Sequence, residues 1–219
     1  MNFNVKNILV PVCFKQGLAI LLVFVIAAVV SADAELRRTD IGQKVVPKIV
    51  FDEQTAEDNY VLDTIRNYKT GLSRGEELKL AQVIIDESSK YNLDPMFVLA
   101  LIEKESSFFN WARSDRGAMG LMQIREYVGK DIASDLNIDW NGEHTLLDPY
   151  MNVRIGLYYF NVLKDKFDKT ELALAAYNFG PTYVRDMMDA DEEVSLDFAN
   201  RVVAGYKNHM ERFKGVYRL

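Results

Sequence analysis

One glutamate stands out as a candidate for acid–base chemistry, because it follows an unbroken apolar stretch. Residues 96–102 carry only apolar side chains, and Glu105 comes three positions later. A helix of that composition is buried on every side. A carboxyl group at the exit of a buried helix loses hydration, which disfavours its charged form and raises its pKa. Glu105 is therefore a candidate general acid that stays protonated near neutral pH.

Two plainer interpretations stand beside the catalytic one. A carboxylate at a helix end is commonly just solvated, so its position alone does not give Glu105 a role. Glu103 is a rival carboxylate two residues earlier, and that spacing places it on another side of the helix. Motifs elsewhere in the sequence have to decide among these interpretations.

Several other catalytic chemistries lack their motifs in this sequence. It contains no His-Glu-x-x-His, no cluster of Cys and His, no Gly-x-Ser-x-Gly and no phosphate-binding Gly-rich loop. His144 and His209 are the only histidines, and neither has a nucleophile pattern nearby. We therefore predict no metal site and no cofactor. We expect both histidines to lie on the surface or to be hydrogen-bonded structural residues.

Three short motifs occur along the chain in an order that favours a catalytic Glu105. They are Glu105-Ser106, then GAMGLMQ at residues 117–123, then AAYNFGP at residues 175–181. Together they resemble the catalytic domain of the soluble-type lytic transglycosylases, the SLT domain family, which is related to goose-type lysozyme. Each motif alone is a weak signal, but three in family order and spacing are a strong one.

The resemblance extends over most of the chain, from about Leu80 to Tyr206. Further family-like features are Asp94-Pro95, Asp148-Pro149 with Asn152 and Gly156, and residues 201–204. It implies a mostly α, lysozyme-like single domain with a buried central helix. One departure is Ile124-Arg125-Glu126-Tyr127, where the family often has a Met-Pro-x-Thr-Ala type of run. Another is Phe198, which stands where a family tyrosine could hydrogen-bond the catalytic glutamate, so the acid is expected in a more apolar setting.

The resemblance also implies roles for individual residues. Glu105 matches the catalytic glutamate. The residues implied to contact the glycan are Ser114, Met122, Gln123, Tyr177 and Asn178. The residues implied to be structural at the site are Ser106, Gly117, Gly120 and Gly180. Tyr177 as a core aromatic residue and Gln123 as a loop-stabilising amide remain open alternatives.

Peptidoglycan is the substrate that the resemblance implies. Glu105 acts as the single acid/base on the β-1,4 bond between N-acetylmuramic acid and N-acetylglucosamine. The 2-acetamido group of the substrate assists, and the products end in 1,6-anhydro-N-acetylmuramic acid. Two alternatives remain: a hydrolytic lysozyme that uses water as acceptor, and a non-catalytic glycan-binding scaffold of an envelope machine.

Helical patterns dominate the region that must position these residues. Amphipathic spacing predicts helices over about 56–68, 74–91, 149–167 and 196–213, and a weaker one near 126–136. Ser73 and Glu76 form a capping box, and Asp94-Pro95 and Asp148-Pro149 are helix starts. Thr170 is expected to cap a helix over residues 171–177, which Gly180-Pro181 ends. Residues 110–147 are expected to be mostly loop, and no strand is predicted.

The first 32 residues predict export. Lys6 and Lys15 precede an apolar run from Leu18 to Val30 that ends in small residues, as in a secretory signal peptide. The alternative is a membrane anchor at residues 17–32. Residues 33–54 are expected to form a linker or N-terminal arm, and residues 55–219 the transglycosylase domain. The protein is thus expected in the periplasm or cell envelope, where an envelope or secretion machinery partner is conceivable.

Charge and cysteine usage set further bounds. Removing residues 1–32 takes away Lys6 and Lys15 and no acidic residue, so the net charge moves from −6 to −8. An acidic chain without a basic stretch argues against a nucleic-acid partner. Cys13 is the only cysteine, so the exported part forms no disulfide and relies on core packing.

Overall fold

The computed structural model describes residues 56–217, within the compact unit Gln54–Leu219. The predicted signal peptide (1–32) and the predicted linker or arm (33–54) lie outside the described residues. Residues 56–217 form nine helices and one two-stranded sheet, which confirms the mostly α fold class. None of these helices is both long enough and apolar enough to cross a membrane.

The elements occur along the chain in the order α1 (Ala56–Arg66), α2 (Arg74–Lys90), α3 (Pro95–Ser106), β1 (Ala118–Met119), β2 (Ile124–Arg125), α4 (Glu126–Asp135), α5 (Glu143–Leu147), α6 (Pro149–Lys166), α7 (Thr170–Phe179), α8 (Pro181–Asp189) and α9 (Asp197–Tyr217).

The predicted helix starts at α2, α3 and α6 are confirmed by their hydrogen bonds. Ser73 and Glu76 form the reciprocal capping box at the start of α2. The Asp94 carboxylate accepts a bond from the amide of Met96 at 2.8 Å. The Asp148 carboxylate accepts from the amides of the second and third residues of α6. These short-range bonds satisfy backbone donors that a helix start otherwise leaves without partners.

The buried central helix is α3, as predicted. Every residue from Met96 to Ile102 is buried, because other helices cover α3 on all sides. Its main neighbour is α9, and Gly205 lets the two backbones approach closely beside Ala100. The Tyr206 hydroxyl of α9 also donates to Asp94 at the start of α3, at 2.7 Å. Contacts with α9 therefore fix α3 at its start and along its middle.

Three sequence-based expectations were wrong or incomplete. A short antiparallel hairpin is present, pairing Ala118 with Arg125 and Met119 with Ile124, although no strand was predicted. Two helices were missed: α5 in the stretch expected to be loop, and α8, which begins at Pro181 directly after the Gly180 break. Thr170 is the first residue of α7 rather than its cap, and no side chain caps that helix.

The hairpin is held in place by one buried side chain of α6, Asn152. Its amide group donates to the carbonyls of Met119 and Leu146, and its oxygen accepts from the amide of Met122. Gly120 has a φ of +78°, and a Cβ there would fall 2.3 Å from the Asn152 amide nitrogen. A glycine is required because any side chain would clash with this anchor.

Candidate active site

A cleft opens where the end of α3, the hairpin, the start of α4, the middle of α6 and the end of α7 meet. Six of the residues singled out from the sequence line it: Glu105, Ser114, Gln123, Tyr177, Asn178 and Gly180. The fold thus brings together side chains that are up to 75 positions apart in the chain.

The backbone after α3 turns sharply. Ser107 and Phe108 both have positive φ, 50° and 59°, which is uncommon for residues other than glycine. Phe108 is fully buried and fixes this turn, and the amide of Ser107 still bonds the carbonyl of Glu103 at 3.0 Å. The Ser106 hydroxyl bonds back to Ile102, a structural contact within α3. The helix therefore ends at Ser106, one residue after Glu105, and the Glu105 side chain borders the cleft.

Glu105 is largely withdrawn from water at the cleft wall. Burial raises the pKa of its carboxyl to about 8, and burial is the one cause of the shift. At neutral pH the carboxyl is therefore protonated and uncharged. A neutral carboxyl facing a cleft can donate a proton, and after donation it can take one back.

Tyr177, a residue of α7, lies next to Glu105 in the cleft wall. Its hydroxyl donates to the carbonyl of Met122 at 2.8 Å, which ties α7 to the hairpin. Its ring packs against Tyr159 and Phe160 with centroid distances of 5.4 and 6.2 Å. Burial, and then the nearby Glu105, raise the pKa of Tyr177 well above its usual value, so the hydroxyl stays protonated. Tyr177 is both a packing residue and part of the cleft wall.

Gln123 and Ser114 line the cleft from the hairpin and from the loop that precedes it. Gln123 has a φ of +48°, and its amide nitrogen donates to the carbonyls of Gly120 (3.0 Å) and Ala112 (3.3 Å). It therefore stabilises the loop while it lines the cleft. The Ser114 hydroxyl accepts from the amide of Ala118 at 3.0 Å, and the serine itself is exposed. Both residues present polar groups to the cleft from a loop braced by its own hydrogen bonds.

The Met122 side chain does not line the cleft, contrary to its predicted role. It is fully buried, and a Cβ at Gly156 of α6 would fall 2.5 Å from its sulfur. Met122 reaches the site only through its backbone carbonyl, which holds Tyr177. The side chain turns inward because the α6 glycine leaves room for it in the core.

Several lining residues were not predicted. Tyr159 of α6 borders the cleft, and burial raises its pKa to about 12. Arg116 and Arg125 bring positive charge, and Tyr127 and Phe179 add aromatic surface. Arg125 and Tyr127 fall in the run that departs from the family pattern. Tyr159 lies three residues after Gly156 on α6, and that spacing was a usable signal.

Glu103 faces a different environment from Glu105. Its carboxylate bonds the Lys104 ammonium at 3.0 Å and Nε2 of His209 at 3.1 Å. Burial opposes its charge, but Lys104, Tyr68 and His209 outweigh burial, so the pKa of Glu103 is lowered. Glu103 is therefore an ionised structural residue.

His209 is buried and hydrogen-bonded, one of the two outcomes predicted for the histidines. Burial lowers its pKa against the opposing pull of Glu103, so it is neutral at pH 7. Since an ionised Glu103 only accepts, Nε2 carries the proton and Nδ1 accepts from the Tyr60 hydroxyl at 3.0 Å. Within residues 56–217 no group of three or more His, Cys, Asp or Glu side chains is placed to hold a metal ion.

A helical domain built round a buried helix, with one uncharged carboxyl at a cleft, defines the lysozyme-like class. The chain belongs to the transglycosylase SLT domain family, whose pattern matches residues 82–196. The resemblance inferred from the three motifs is thereby confirmed.

Curated relatives agree with this assignment, and a solved structure agrees with the fold. The chain is 30% identical over 134 residues to membrane-bound lytic murein transglycosylase C of Mannheimia succiniciproducens, covering 57% of this chain and 38% of that protein. The same enzyme of Pectobacterium atrosepticum is 26% identical over 138 residues, covering 58% and 38%. The chain thus spans little more than a third of these relatives. In fold it is similar to the 70 kDa soluble lytic transglycosylase Slt70 of Escherichia coli, with a TM-score of 0.52, 22% identity, and coverage of 73% of this chain and 29% of that one.

Proposed function

We propose that this protein cleaves the glycan strand of peptidoglycan as a lytic transglycosylase, with Glu105 as its single acid/base. One observation carries the proposal: the Glu105 carboxyl is buried in a cleft that also presents Tyr177 and Asn178, and this burial raises its pKa to about 8. Glu105 is also the only acidic residue lining this cleft in the described part of the chain. A single carboxyl suits a mechanism in which the substrate supplies the second group.

In the first proposed step, Glu105 donates its proton to the oxygen of the bond between N-acetylmuramic acid and N-acetylglucosamine. The bond breaks as positive charge develops on the anomeric carbon of the muramic acid, and the 2-acetamido oxygen of that sugar stabilises it. Burial supports this step, because it keeps the proton on Glu105 until the leaving oxygen can accept it.

In the second step, the ionised Glu105 takes the proton from the 6-hydroxyl of the same muramic acid. That oxygen attacks the anomeric carbon and closes a 1,6-anhydro ring, so no water is consumed. We assign glycan contacts to Ser114, Gln123 and Asn178, which border the cleft. Tyr177, held by the Met122 carbonyl, keeps the wall beside Glu105 in position.

We propose that this reaction takes place in the cell envelope. The relatives are named membrane-bound murein enzymes, and the predicted signal peptide agrees with export. The periplasm is the compartment in which an exported enzyme meets the peptidoglycan strand.

Product analysis of the full chain tests the proposal. Purified peptidoglycan is digested with the wild type and with Glu105→Gln, and released fragments are weighed by mass spectrometry. We expect anhydro ends, one water lighter than reducing ends, from the wild type and almost no release by the variant. Reducing ends instead identify a hydrolytic lysozyme. No release by a folded wild type, as judged by circular dichroism, identifies a glycan-binding scaffold.

A further inference from the structure

Two exposed aromatic rings lie just beyond the turn that follows α3. Phe109 is 46% exposed and Trp111 is 52% exposed, and neither ring lines the catalytic cleft. Large hydrophobic residues exposed singly need no explanation, whereas neighbouring ones that the fold holds outward indicate a surface that a partner covers.

Buried neighbours hold the two rings outward. Phe108 is fully buried and Asn110 is 1% exposed, so the side chains of residues 108–111 alternate between core and surface. The Asn110 backbone amide donates to the Thr70 carbonyl at 3.1 Å, and its side-chain amide donates to the Leu147 carbonyl at 3.0 Å. The loop therefore cannot turn the exposed rings inward without breaking both bonds and exposing Phe108.

The loop between α1 and α2 packs against both rings. Gly71 has a φ of +77°, and a Cβ there would lie 3.0 Å from the Trp111 ring and 3.9 Å from the Phe109 ring. Thr70 beside it is buried, and its hydroxyl donates to the Glu77 carboxylate at 2.9 Å. The two loops therefore form one continuous surface, which is fixed to α2.

Basic side chains surround the rings in an otherwise acidic chain. Residues 66–74 and 107–116 contain five basic residues and one acidic residue, all of them exposed, whereas the whole chain has 26 basic and 32 acidic residues. They are Arg66, Lys69, Arg74, Arg113, Arg116 and Asp115.

Part of this positive charge is balanced within the protein. Arg113 bonds Glu143 at 2.8 Å, and Glu77 lies 3.7 Å from Arg74. Glu76 adds a further negative charge at the start of α2. A net positive charge still remains, from Arg66, Lys69 and Arg116 against Asp115 and Glu76.

We propose that this surface docks on an anionic phospholipid bilayer. We call it the basic–aromatic face and define it by Lys69, Arg74, Phe109 and Trp111. Tryptophan and phenylalanine rings suit the boundary between headgroups and acyl chains, and lysine and arginine are attracted to anionic headgroups. An uncharged sugar chain would use the rings but not the cations. Ser114 follows Trp111 by three residues and lines the cleft, so docking would hold the cleft close to the bilayer.

The fluorescence of single tryptophans tests the docking. The sequence has two tryptophans, Trp111 and Trp140, so binding of the N-terminal segment to lipid adds no signal of its own. The full chain carrying Trp140→Phe is mixed with vesicles of phosphatidylethanolamine and phosphatidylglycerol that contain brominated lipids. We expect Trp111 emission to move to shorter wavelength and to be quenched. The matched control is Trp111→Phe, which leaves Trp140 and should show neither change.

Charge and ring are then changed separately in the Trp140→Phe chain. Lys69→Gln removes one cation, and we expect the ratio of docked to undocked protein to fall roughly fivefold. Phe109→Ser removes apolar contact with the acyl chains, and we expect a fall of roughly tenfold. Neither variant should change the cleavage of soluble glycan strands, because neither residue lines the cleft.

Other results overturn the inference. Unquenched Trp111 in protein that sediments with the vesicles removes the face as a docking surface. Equal quenching by vesicles of phosphatidylcholine removes the role of charge. A shift of Trp111 emission with purified glycan strands but not with vesicles identifies a glycan as the occupant. Lys69→Gln alters only an exposed side chain, so it tests the face even if circular dichroism shows that Phe109→Ser does not fold.

Discussion

Glu103 and Glu105 lie two positions apart in the last turn of α3, yet their surroundings have opposite effects. Both are partly buried. The Glu103 carboxylate accepts hydrogen bonds from Lys104 and His209, and its pKa is lowered. Burial without such compensation raises the pKa of Glu105 to about 8. The comparison shows that burial alone does not decide the charge of a carboxyl group. The charged and hydrogen-bonding neighbours beside it also decide that charge.

The largest expected contrast is in catalysis. Glu105→Gln removes the transferable proton, and we expect release of peptidoglycan fragments to fall by roughly 10²–10⁴-fold. Glu103→Gln changes the residue of the same helix turn that bonds Lys104 and His209 and does not line the cleft. The protein that folds should therefore retain its activity. Turbidity loss of purified cell walls, normalised to folded protein, measures both variants. Equal losses would show that the two glutamates are not functionally distinct.

The two substitutions should also have opposite effects on stability. Ionising Glu105 costs more in the folded state than in the unfolded state, so the wild type loses stability between about pH 5 and about pH 8. Glu105→Gln removes that loss. Between about pH 5 and about pH 8, its free energy of unfolding relative to that of the wild type should therefore rise by on the order of 3 kcal/mol.

Glu103 has the reverse dependence. Its lowered pKa contributes stability that is present above the unfolded pKa and is lost as pH falls through the folded one. Glu103→Gln is therefore destabilising at neutral pH and nearly neutral in strong acid. Urea unfolding at several pH values measures the pH dependence of stability for both variants. The same direction of change in both would contradict the predicted difference between Glu103 and Glu105.

The pH profile of cleavage sharpens the assignment of the acid. Since the proton of Glu105 is the reactive one, kcat/KM should fall as pH rises through about 8, by about tenfold per unit beyond it. Initial rates on soluble glycan strands, with controls for enzyme and substrate stability, give the profile. A falling limb near the ordinary pKa of glutamate would mean that the carboxyl is solvated in the free enzyme.

The smallest expected effect comes from Tyr60, which hydrogen-bonds the ring nitrogen of His209 that does not contact Glu103. Tyr60→Phe removes the donor to Nδ1 of His209, and leaving that buried acceptor unmatched costs about 1 kcal/mol of stability. Catalysis should not change, because Tyr60 acts on the Glu103 side of α3. Thermal unfolding and a wall-lysis assay measured together would reveal any coupling between the two sides.

Local signals explain why much of the helical fold was predictable. The caps at Ser73, Asp94 and Asp148 act within a few residues, so the sequence predicts their helix starts. The hairpin was missed because strands of two residues carry no alternating pattern, and its anchor, Asn152, lies about 30 positions away. The α8 helix was missed because Gly180-Pro181 serves as both a stop and a start.

The candidate site was predictable in part for the same reason. The apolar stretch before Glu105 predicted a raised pKa for its carboxyl group, and the burial of that group in the structure agrees with the prediction. The inward turn of Met122 depends on Gly156, and the place of Tyr159 depends on the rotation of α6, which are tertiary properties. The positive φ of Ser107 and Phe108 could not be predicted from the sequence, because neither residue type favours it.

The Asn152 anchor depends on the amide group that deamidation would remove. Deamidation converts asparagine to aspartate with almost no change in shape, yet a carboxylate can only accept hydrogen bonds. At Asn152 it would keep the bond from Met122 but set oxygen against the carbonyls of Met119 and Leu146. Replacing one nitrogen by oxygen would thus loosen the hairpin wall of the cleft and inactivate an enzyme whose acid is untouched.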